Sequence, residues 1–386
     1  MYNQYNFVFV MENFQVKRFF YPVGHGAFYV ETFHDCEGKY FTSVYDCGSS
    51  NKSIIKNCIE DAVNKGDFIK INALFISHFD KDHVNGLEYL QTYMTNNTKV
   101  FIPFYYNNYL TLYSLEQQDA IKLILSVLNK LNIVPIYVQY NTGIKSAVHN
   151  IKTMLSEEEE HNKIINSGDK IRVYSPSNPS QAIWEYIPFN LHNEKEIFQR
   201  FKKEVVKSAE KIDLKNPSSW TSNQRTTLRR IYKQKSMLYE INENSLLSLS
   251  HSLVYVDFVR LSQGCTCLFK IVKKVHFHLI HYVNGSCLYT GDCRLIPNSK
   301  IYKMFVSRIQ KTVKHIELMQ IPHHGSSNNS NIDILKDNLF CFYFVSYCIS
   351  DKQYKSFPRY ISLPIESVLH ITEESPKVEE FICIST

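Results

Sequence analysis

Short apolar runs rich in Val, Ile, Phe and Tyr alternate with amphipathic segments in the first part of the chain. Apolar runs of this kind predict strands, here at residues 7–10, 16–23, 27–32, 40–46, 71–76, 100–103, 133–138 and 171–174. Apolar positions on a helical period predict helices at residues 53–65 and 115–131, and another helix starts within residues 86–94. Strands that alternate with helices indicate an α/β fold built in layers.

The pattern changes after residue 176. Residues 194–215 have a helical and strongly charged pattern, residues 225–235 are basic, and a polar break at residues 216–219 separates them. Strand patterns return at residues 245–250, 253–260, 267–279, 287–289, 318–321 and 342–347, with a helix at 300–313. We therefore predict a single domain over residues 1–386 that carries a helical insertion at residues 177–243.

The composition is that of a globular protein with a full core. Of the 386 residues, 44% are hydrophobic and 21% are charged, and Gly and Pro number 12 each, so long disordered stretches are not expected. The formal net charge of +6 permits a polyanionic partner without requiring one. The 10 cysteines are scattered along the chain, which is typical of free thiols in a reducing compartment.

The start of the chain shows no targeting pattern that would change this interpretation. Residues 1–20 lack the basic start, apolar core and small-residue cleavage site of a secretory signal. No apolar run approaches the length of a membrane span. We therefore expect a soluble, cytoplasmic protein with no membrane partner.

Imidazoles and carboxylates are concentrated in one short segment, SHFDKDH at residues 77–83, directly after a predicted buried strand. In a loop that leaves the edge of a sheet, His78, Asp80, Asp82 and His83 can converge on metal ions from one side. They supply more ligands than one ion needs, so two ions are expected, an arrangement that stabilises both the attacking and the leaving oxygen of a displacement. The alternative is a solvated turn, because short motifs also occur by chance.

Further motifs follow other predicted strands. Asp46 lies in VYDCG before the cluster, Asp292 lies in LYTGD after it, and the pair His323-His324 lies in QIPHHGSS. A strand-terminal Asp or a His pair is, by itself, more often structural than catalytic. The order in which these motifs and the 77–83 segment occur favours one site gathered from distant parts of the chain.

This order resembles that of the metallo-β-lactamase superfamily, in which an early Asp-x-Gly, a His/Asp cluster, a late bridging Asp and a final His follow one another. The closest resemblance is to the hydrolase domain of the competence DNA-uptake protein ComEC and its free-standing relatives. Its motifs are matched by residues 77–83, by TGD at 290–292 and by HHGS at 323–326, with Asp80 in place of the second His of β-lactamases. The resemblance implies an αββα sandwich with a metal-dependent hydrolase site.

Weaker similarities extend the resemblance over about residues 7–358, apart from the insertion and an enlarged hairpin at 254–277. VGHG at residues 23–26 resembles a VGQG turn of this group, with His25 replacing Gln, and residues 244–246 resemble the segment before its TGD strand. Relatives often have a His-Pro pair near the end, where this chain has Phe357-Pro358. The membrane channel of ComEC has no counterpart here, so DNA import is not implied.

The resemblance and ligand chemistry together suggest a role for each site residue. We expect His78 and Asp80 to bind one ion, Asp82 and His83 to bind the other, and Asp292 to bridge the two. His323 is expected to complete the ligand set, although the sequence does not separate it from His324. Replacing an imidazole by Asp80 hardens the ligands, so the two divalent ions are expected to be Zn²⁺ or Mn²⁺.

Catalysis is expected to use a hydroxide held between the two cations, because a metal can lower the pKa of bound water to about 7. Asp82 and His324 are the residues to which we assign catalytic roles. Asp46 is expected to orient the site through hydrogen bonds and not to bind metal. Ser326 and Ser327 are candidates for holding a phosphate oxygen, and an ordinary loop is the alternative.

The leading functional hypothesis is phosphodiester hydrolysis, with nucleic acid as a candidate substrate. The insertion is basic and also contains Trp220 and Tyr232, and its Lys and Arg residues could contact phosphates: Lys202, Lys203, Lys207, Arg225, Arg229, Arg230, Lys233 and Lys235. A solvated charged helix is the alternative. Two further functions stay open, namely hydrolysis of a small ester, thioester or lactone, and membership of a multi-protein system, such as a defence system, that docks through residues 194–235.

Overall fold

The computed structural model describes most of the chain, namely residues 13–35, 38–104, 118–140, 146–151, 164–191, 194–208, 211–214, 219–232, 245–263, 266–272, 284–295, 300–326, 340–347 and 368–385. Several predicted features lie outside these ranges: the strand at 7–10, Ser327, Lys233, Lys235 and residues 357–358. Within the described ranges, no helix combines the length and the apolar character needed to cross a membrane.

The strands, in chain order, are β1 (Asn13–Phe20), β2 (Gly26–Asp35), β3 (Gly38–Ser49), β4 (Ala73–Phe75), β5 (Lys99–Pro103), β6 (Ile136–Gln139), β7 (Val148–Asn150), β8 (Ile164–Asn166), β9 (Lys170–Tyr174), β10 (Ala182–Phe189), β11 (Leu247–Ser252), β12 (Tyr255–Gln263), β13 (Thr266–Val272), β14 (Cys287–Tyr289), β15 (Ile316–Gln320), β16 (Phe340–Ser346), β17 (Val368–Ile371) and β18 (Val378–Ser385). The helices are α1 (Lys52–Asn64), α2 (Lys81–Val84), α3 (Leu87–Leu90), α4 (Gln118–Lys130), α5 (Glu194–Lys207), α6 (Ser222–Tyr232) and α7 (Lys300–Ile309). Short 3-10 turns follow at Gln91–Tyr93 and His323–Gly325.

These strands form two sheets. The first has the order β13-β12-β18-β1-β2-β3-β4-β5-β6-β8, and the second has the order β17-β16-β15-β14-β11-β10-β9-β7. In the first sheet, the pairs from β13 to β3 are antiparallel, and those from β3 to β8 are parallel. In the second sheet, β14, β15, β16 and β17 are parallel to one another. Parallel strands end at a common edge, which is where loops of both sheets can meet.

Apolar side chains pack between the two sheets and between each sheet and its helices. Between the sheets, Phe33 packs edge-on against Trp184 with ring centroids 5.4 Å apart. Outside the first sheet, α1, α3, α4, α5 and α6 bury a second apolar layer that includes Ile59 and Ile124. Outside the second sheet, α7 buries a third layer that includes Phe305. This order of helix, sheet, sheet and helix confirms the predicted αββα sandwich.

β2 shows why the early strands appear as continuous apolar runs. Ala27 and Tyr29 face the core between the sheets, whereas Phe28 and Val30 face the helices. Successive side chains of a strand point to opposite faces, and here both faces are buried. A strand in the middle of the sandwich therefore favours apolar residues on both of its faces.

The predicted start of the helical insertion at residue 177 is wrong. Ala182–Phe189 forms β10, which pairs with β9 and β11 inside the second sheet. Glu185 and Pro188 interrupt the apolar run and hide this strand in the sequence. Glu185 is fully buried, but the guanidinium of Arg172 on β9 lies 3.0 Å from its carboxylate and compensates the charge. The helical part of the segment begins with α5 at Glu194.

A buried ion-pair cluster lies in the core between the sheets. Arg18 of β1 contacts Glu31 of β2 at 2.7 Å and also contacts Glu380 of β18, and its side chain is fully buried. Glu31 accepts further hydrogen bonds from Tyr186 at 2.7 Å and from Tyr289 at 2.9 Å, which belong to the second sheet. The cluster thus joins the two sheets through charged and hydroxyl groups.

Candidate metal centre

Four strand ends bring the predicted site residues to one edge of the sandwich. β4 leads into the 77–83 segment, β14 leads into Asp292, and β15 leads into the His323–Gly325 turn. Asp46 lies near the end of β3, which is parallel to β4. The backbone N–H of Leu246 donates to the carbonyl of Ser77 at 2.7 Å, which links the chain entering β11 to the segment after β4.

Glycines permit the close approach of the backbone around the 77–83 segment. A Cβ atom at Gly48 would lie 2.5 Å from the carbonyl carbon of Asp82, and one at Gly26 would lie 2.7 Å from the carbonyl oxygen of Asp82. Three site residues adopt the left-handed backbone region that non-glycine residues rarely occupy, with φ of 54° at Asp46, 49° at His323 and 52° at His324. Such conformations cost on the order of 1–3 kcal/mol each and cluster at functional sites.

One set of ligand atoms, called here the first ligand group, consists of His78, Asp80, Asp292 and His323. The Nε2 atom of His78 lies 3.6 Å from Asp80 Oδ2 and 3.5 Å from Asp292 Oδ2. His323 Nε2 lies 3.6 Å from the same oxygen of Asp292. These side chains approach Asp292 Oδ2 from different parts of the fold.

The second ligand group consists of Asp82, His83, His324 and the other oxygen of Asp292. His83 Nε2 lies 3.3 Å from Asp292 Oδ1 and 3.7 Å from Asp82 Oδ2. His324 Nε2 lies 3.3 Å from Asp82 Oδ2 and 3.8 Å from Asp292 Oδ1. Because each group uses a different oxygen of Asp292, this carboxylate lies where a bridging ligand would be needed.

The geometry and the hydrogen bonding of these groups fit divalent cations. Two ligands about 2.1 Å from one ion are roughly 3.0–3.4 Å apart, slightly less than the separations here. The Nε2 atoms of His78, His83 and His324 are buried and make no hydrogen bond within the described part of the chain. Buried polar atoms are normally satisfied, so three such nitrogens facing one cavity indicate ligands for a cation.

The outward-facing nitrogens of the same imidazoles are held by the protein. His83 Nδ1 lies 2.8 Å from Asp46, and His324 Nδ1 donates to the carbonyl of Ser346 at 2.9 Å. The Ser77 hydroxyl donates to Asp46 at 2.6 Å and lies 2.8 Å from His78 Nδ1, from which it accepts. Each Nδ1 thus carries the proton, which leaves the Nε2 lone pair directed into the site.

The imidazoles and carboxylates of the two ligand groups shift one another's pKa values strongly. Burial opposes a charge on His78, but facing carboxylates, mainly Asp292, raise its pKa to about 9. Burial likewise opposes ionisation of Asp292, yet His323, His83 and His78 hold its pKa well below the usual range. Cation binding must displace protons from these imidazoles, so acid weakens binding.

His25 lies beside the second ligand group and was not among the predicted site residues. Its Nε2 atom lies 3.3 Å from Asp82 Oδ2, and burial, together with His324, lowers its pKa to about 4. The sequence contained a signal, since His25 stands between two glycines in the VGHG turn. From the sequence alone, His25 is apparent only as a replacement of Gln in this turn, because no local pattern shows that the turn faces residues 82 and 324.

The structure brings the other predicted site residues together. The predicted ligands and both residues given catalytic roles belong to the two ligand groups, and Asp46 lies behind them against Ser77 and His83. His323 belongs to the first ligand group and His324 to the second. The sequence left open which of the two would be a ligand, and the structure gives each a position of its own. Ser326 is half-buried at the end of the turn, where its backbone N–H donates to the carbonyl of His323 at 2.8 Å.

This chain thus brings two groups of His and Asp side chains to one edge of an αββα sandwich, an arrangement that resembles the metallo-β-lactamase fold. Among solved structures, it is similar to a new diphosphatase from the PhnP family, with 10% identity, a TM-score of 0.40, and coverage of 96% of this chain and 100% of that chain. It is also similar to a long form RNase Z from yeast, with 12% identity, a TM-score of 0.28, and coverage of 80% of this chain and 32% of that chain. No protein-family model and no curated protein matches the sequence. At these identities and scores, the similarities assign no activity to this chain.

Replacing Asp46 by Asn is expected to weaken metal binding on the order of 10–100-fold, the usual effect of losing a partner behind a ligand. The amide has a single acceptor oxygen, whereas the carboxylate of Asp46 accepts from Ser77 through both oxygens and also contacts His83. Competition with a chromophoric chelator measures the affinity. Asp169→Asn is the matched control, because Asp169 is also buried but accepts from Ala147 and Asn166. Equal affinities in the two variants would show that Asp46 has no orienting role.

Proposed function

We propose that the protein is a metal-dependent phosphodiesterase, with nucleic acid as its substrate class, related within its fold to the ComEC hydrolase domain and its free-standing relatives. One observation supports this proposal above all others. Asp292 lies between two groups of inward-facing ligand atoms, with one oxygen directed at each. Two-cation sites are used to hold the attacking and leaving oxygens of a phosphoryl displacement.

In this proposal, His78, Asp80 and His323 hold one cation, and Asp82, His83 and His324 hold the other, with Asp292 shared. When bound, divalent cations neutralise the charge of a phosphodiester and lower the pKa of a bound water to about 7. Each ligand group combines two imidazoles with two carboxylates, a mixed ligand set that suits Mn²⁺ as well as Zn²⁺. The catalytic roles given to Asp82 and His324 are thus exerted from ligand positions.

The two ligand groups have a buried side and an accessible side. His83 and His324 are almost fully buried, whereas the side chains of Asp80 and His323 are 28% and 22% exposed. The side chain of Asp82 is also 18% exposed, so we propose that substrate approaches where Asp80, Asp82 and His323 reach solvent. Ser326 directly follows the His323–Gly325 turn, so we retain it as a candidate to contact a phosphate oxygen.

The exposed basic residues of helices α5 and α6 support the proposal of a polyanionic substrate. Their apolar sides, including Phe201 and Leu228, pack in the same layer as Phe79 of the metal-binding segment. Lys202, Lys203 and Arg230 are exposed on them, and basic residues of this kind contact phosphates. Trp220, in contrast, is only 5% exposed and donates to the carbonyl of Asp213 at 2.7 Å, so it offers no face for base stacking.

The compartment is part of the same proposal. Cys47, Cys58, Cys287 and Cys293 are buried free thiols. Unbridged cysteines are typical of a reducing environment. We therefore place the protein in the cytoplasm, where nucleic acid is available as a substrate.

The decisive experiment is a substrate panel with protein loaded with Mn²⁺ or Zn²⁺. It compares bis-p-nitrophenyl phosphate, single- and double-stranded DNA and RNA with a carboxylic ester, a thioester and a lactone. We expect cleavage of the phosphodiesters alone, with loss of cleavage after chelation and in Asp82→Asn and His83→Ala variants. Cleavage of the esters without cleavage of any phosphodiester would refute the proposal, because the same ligand set would then serve a carbonyl substrate.

A charge-neutralised variant separates nucleic acid from small phosphodiesters as the substrate. Lys202→Gln, Lys203→Gln and Arg230→Gln are combined in one protein. We expect a raised KM and a weaker salt dependence for DNA or RNA, with unchanged cleavage of bis-p-nitrophenyl phosphate. Unchanged cleavage of both would mean that the exposed face of α5 and α6 does not bind nucleic acid, and binding of a protein partner through residues 194–235 would then explain its charge.

A further inference from the structure

His25 extends from the turn between β1 and β2 over the second ligand group. Its ring lies against that of His324, with centroids 4.2 Å apart and an interplanar angle of 39°. Its Nε2 atom is 3.3 Å from Asp82 Oδ2. The ligand atoms of His25, Asp82 and His324 all lie within 4.8 Å of one another.

The turn that carries His25 is held firmly in this position. Gly24 adopts a φ of 67°, and Gly26 leaves no room for a Cβ against the backbone of Asp82. Ser346 fixes the turn and His324 together, because its hydroxyl donates to the carbonyl of Gly24 at 2.9 Å while its own carbonyl accepts from His324 Nδ1. The N–H of Ser50 donates to the carbonyl of His25 at 2.7 Å. The imidazole is therefore placed by the fold and not by chance contact of a surface side chain.

We propose that His25 is an additional ligand of the cation in the second ligand group. This inference rests on the proposed metal centre and adds to it an imidazole from the β1–β2 turn. The second position would then be served by the imidazoles of His25, His83 and His324, whereas the first is served by those of His78 and His323. Nitrogen-rich sites favour Zn²⁺ and Co²⁺ over Mn²⁺, so the two positions should differ in metal preference.

The alternative role for His25 is to donate a hydrogen bond to Asp82 without contacting a cation. Gln at position 25 retains an N–H donor but is a much poorer ligand than imidazole. His25→Gln therefore separates the two roles, and His25→Ala removes both. His315→Gln is the matched control, because His315 is exposed at the start of β15, whereas the site lies beyond the other end of that strand.

The test is a Co²⁺ titration of metal-free protein, followed by visible absorption, with the bound metal counted by elemental analysis after gel filtration. We expect two Co²⁺ ions per chain in the wild type and in His315→Gln. In His25→Gln and His25→Ala, the apparent Kd of one of the two ions should rise at least about tenfold, and its absorption band should change. Mn²⁺ binding at the first ligand group should be nearly unchanged in both variants.

Two results would overturn the inference, and they have different meanings. If His25→Gln binds two Co²⁺ ions with the affinity and spectrum of the wild type, His25 is not a ligand, and the proposed metal centre stands without it. If the wild type binds no Co²⁺, the metal centre itself is wrong and the inference falls with it. Circular dichroism of each variant shows whether the protein is folded, and His25→Gln decides the matter if His25→Ala does not fold.

Discussion

Replacing Asp292 by Asn should abolish metal-dependent hydrolysis while the protein stays folded. Asp292 offers one oxygen to each ligand group, at 3.5 Å from His78 Nε2 and 3.3 Å from His83 Nε2. The variant keeps a single oxygen and loses the negative charge that two cations would share. Losing even an outer partner of a metal ligand costs on the order of 10–100-fold, so we expect at least a hundredfold loss here.

The measurement combines the rate of phosphodiester cleavage with the number of bound ions per chain. Asp169→Asn controls for the loss of a buried carboxylate elsewhere, and should retain both ions and the wild-type rate. An Asp292→Asn protein that holds two ions and cleaves its substrate normally would show that the carboxylate does not bridge. Because the side chain is only 4% exposed, circular dichroism of the variant is needed to show that the fold is kept.

Replacing Arg18 by Met should destabilise the protein by about 3–5 kcal/mol, the usual cost of removing one partner from a buried ion pair. Arg18 lies between Glu31 and Glu380, and its loss leaves two carboxylates in the core without a cation. Burial already raises the pKa of Glu380 to about 7, although Arg18 opposes the shift. In the variant, Arg18 no longer opposes the effect of burial, so the pKa of Glu380 should rise further.

The pH dependence of this effect has a definite sign. A carboxyl whose pKa is higher in the folded than in the unfolded chain binds more protons when folded, so the free energy of unfolding falls as the pH rises. The loss in free energy of unfolding caused by Arg18→Met should therefore increase as the pH rises through about 7, where Glu380 titrates even with Arg18 present. Chemical denaturation followed by circular dichroism at several pH values measures it.

The triple variant Arg18→Met, Glu31→Gln, Glu380→Gln is the informative control for this stability effect. It removes the cation together with both carboxylates, so it should recover part of the lost stability and lose the pH dependence. A single variant within about 1 kcal/mol of the wild type would mean that the cluster contributes little, as exposed ion pairs do.

Local patterns in the sequence identify many elements closely. The helix predicted at residues 53–65 is α1 at Lys52–Asn64, where Ile55, Ile59 and Ala62 are buried on one side. The strand predicted at residues 287–289 coincides with β14. The burial of α1 follows a helical period, and β14 is a short apolar run that is buried throughout, so no distant contact is needed to recognise either.

Two strands could not be found in this way, since each contains a buried acid. Glu185 interrupts the mostly apolar run of β10, and Glu380 lies beside Glu379 near the start of β18. Their charges are compensated by Arg172 on a neighbouring strand and by Arg18, which lies 362 positions away in the chain. A local pattern shows the unfavourable acid but not the distant cation that makes its burial possible.

The site residues likewise divide into those that a local motif identifies and those that depend on distant contacts or on backbone conformation. The 77–83 segment, Asp292 and the His pair each end a predicted strand, so their motifs were visible locally. The separation of His323 from His324 was not, because it depends on the left-handed backbone at both residues, with φ of 49° and 52°. His25 depends on contacts of the β1–β2 turn with Asp82 and His324, which are distant in the chain, and no local pattern contains such contacts.

The ligand groups take their members from both halves of the sandwich. Asp46 and residues 77–83 belong to the first sheet, and Asp292 and the His pair belong to the second. The Tyr45 hydroxyl donates to the carbonyl of Leu246 at 2.5 Å, directly beside the contact between Leu246 and Ser77. The distance between the halves is thus set by packing and hydrogen bonds of the polypeptide. Contacts of the polypeptide chain therefore contribute to holding the side chains from the two sheets at one place.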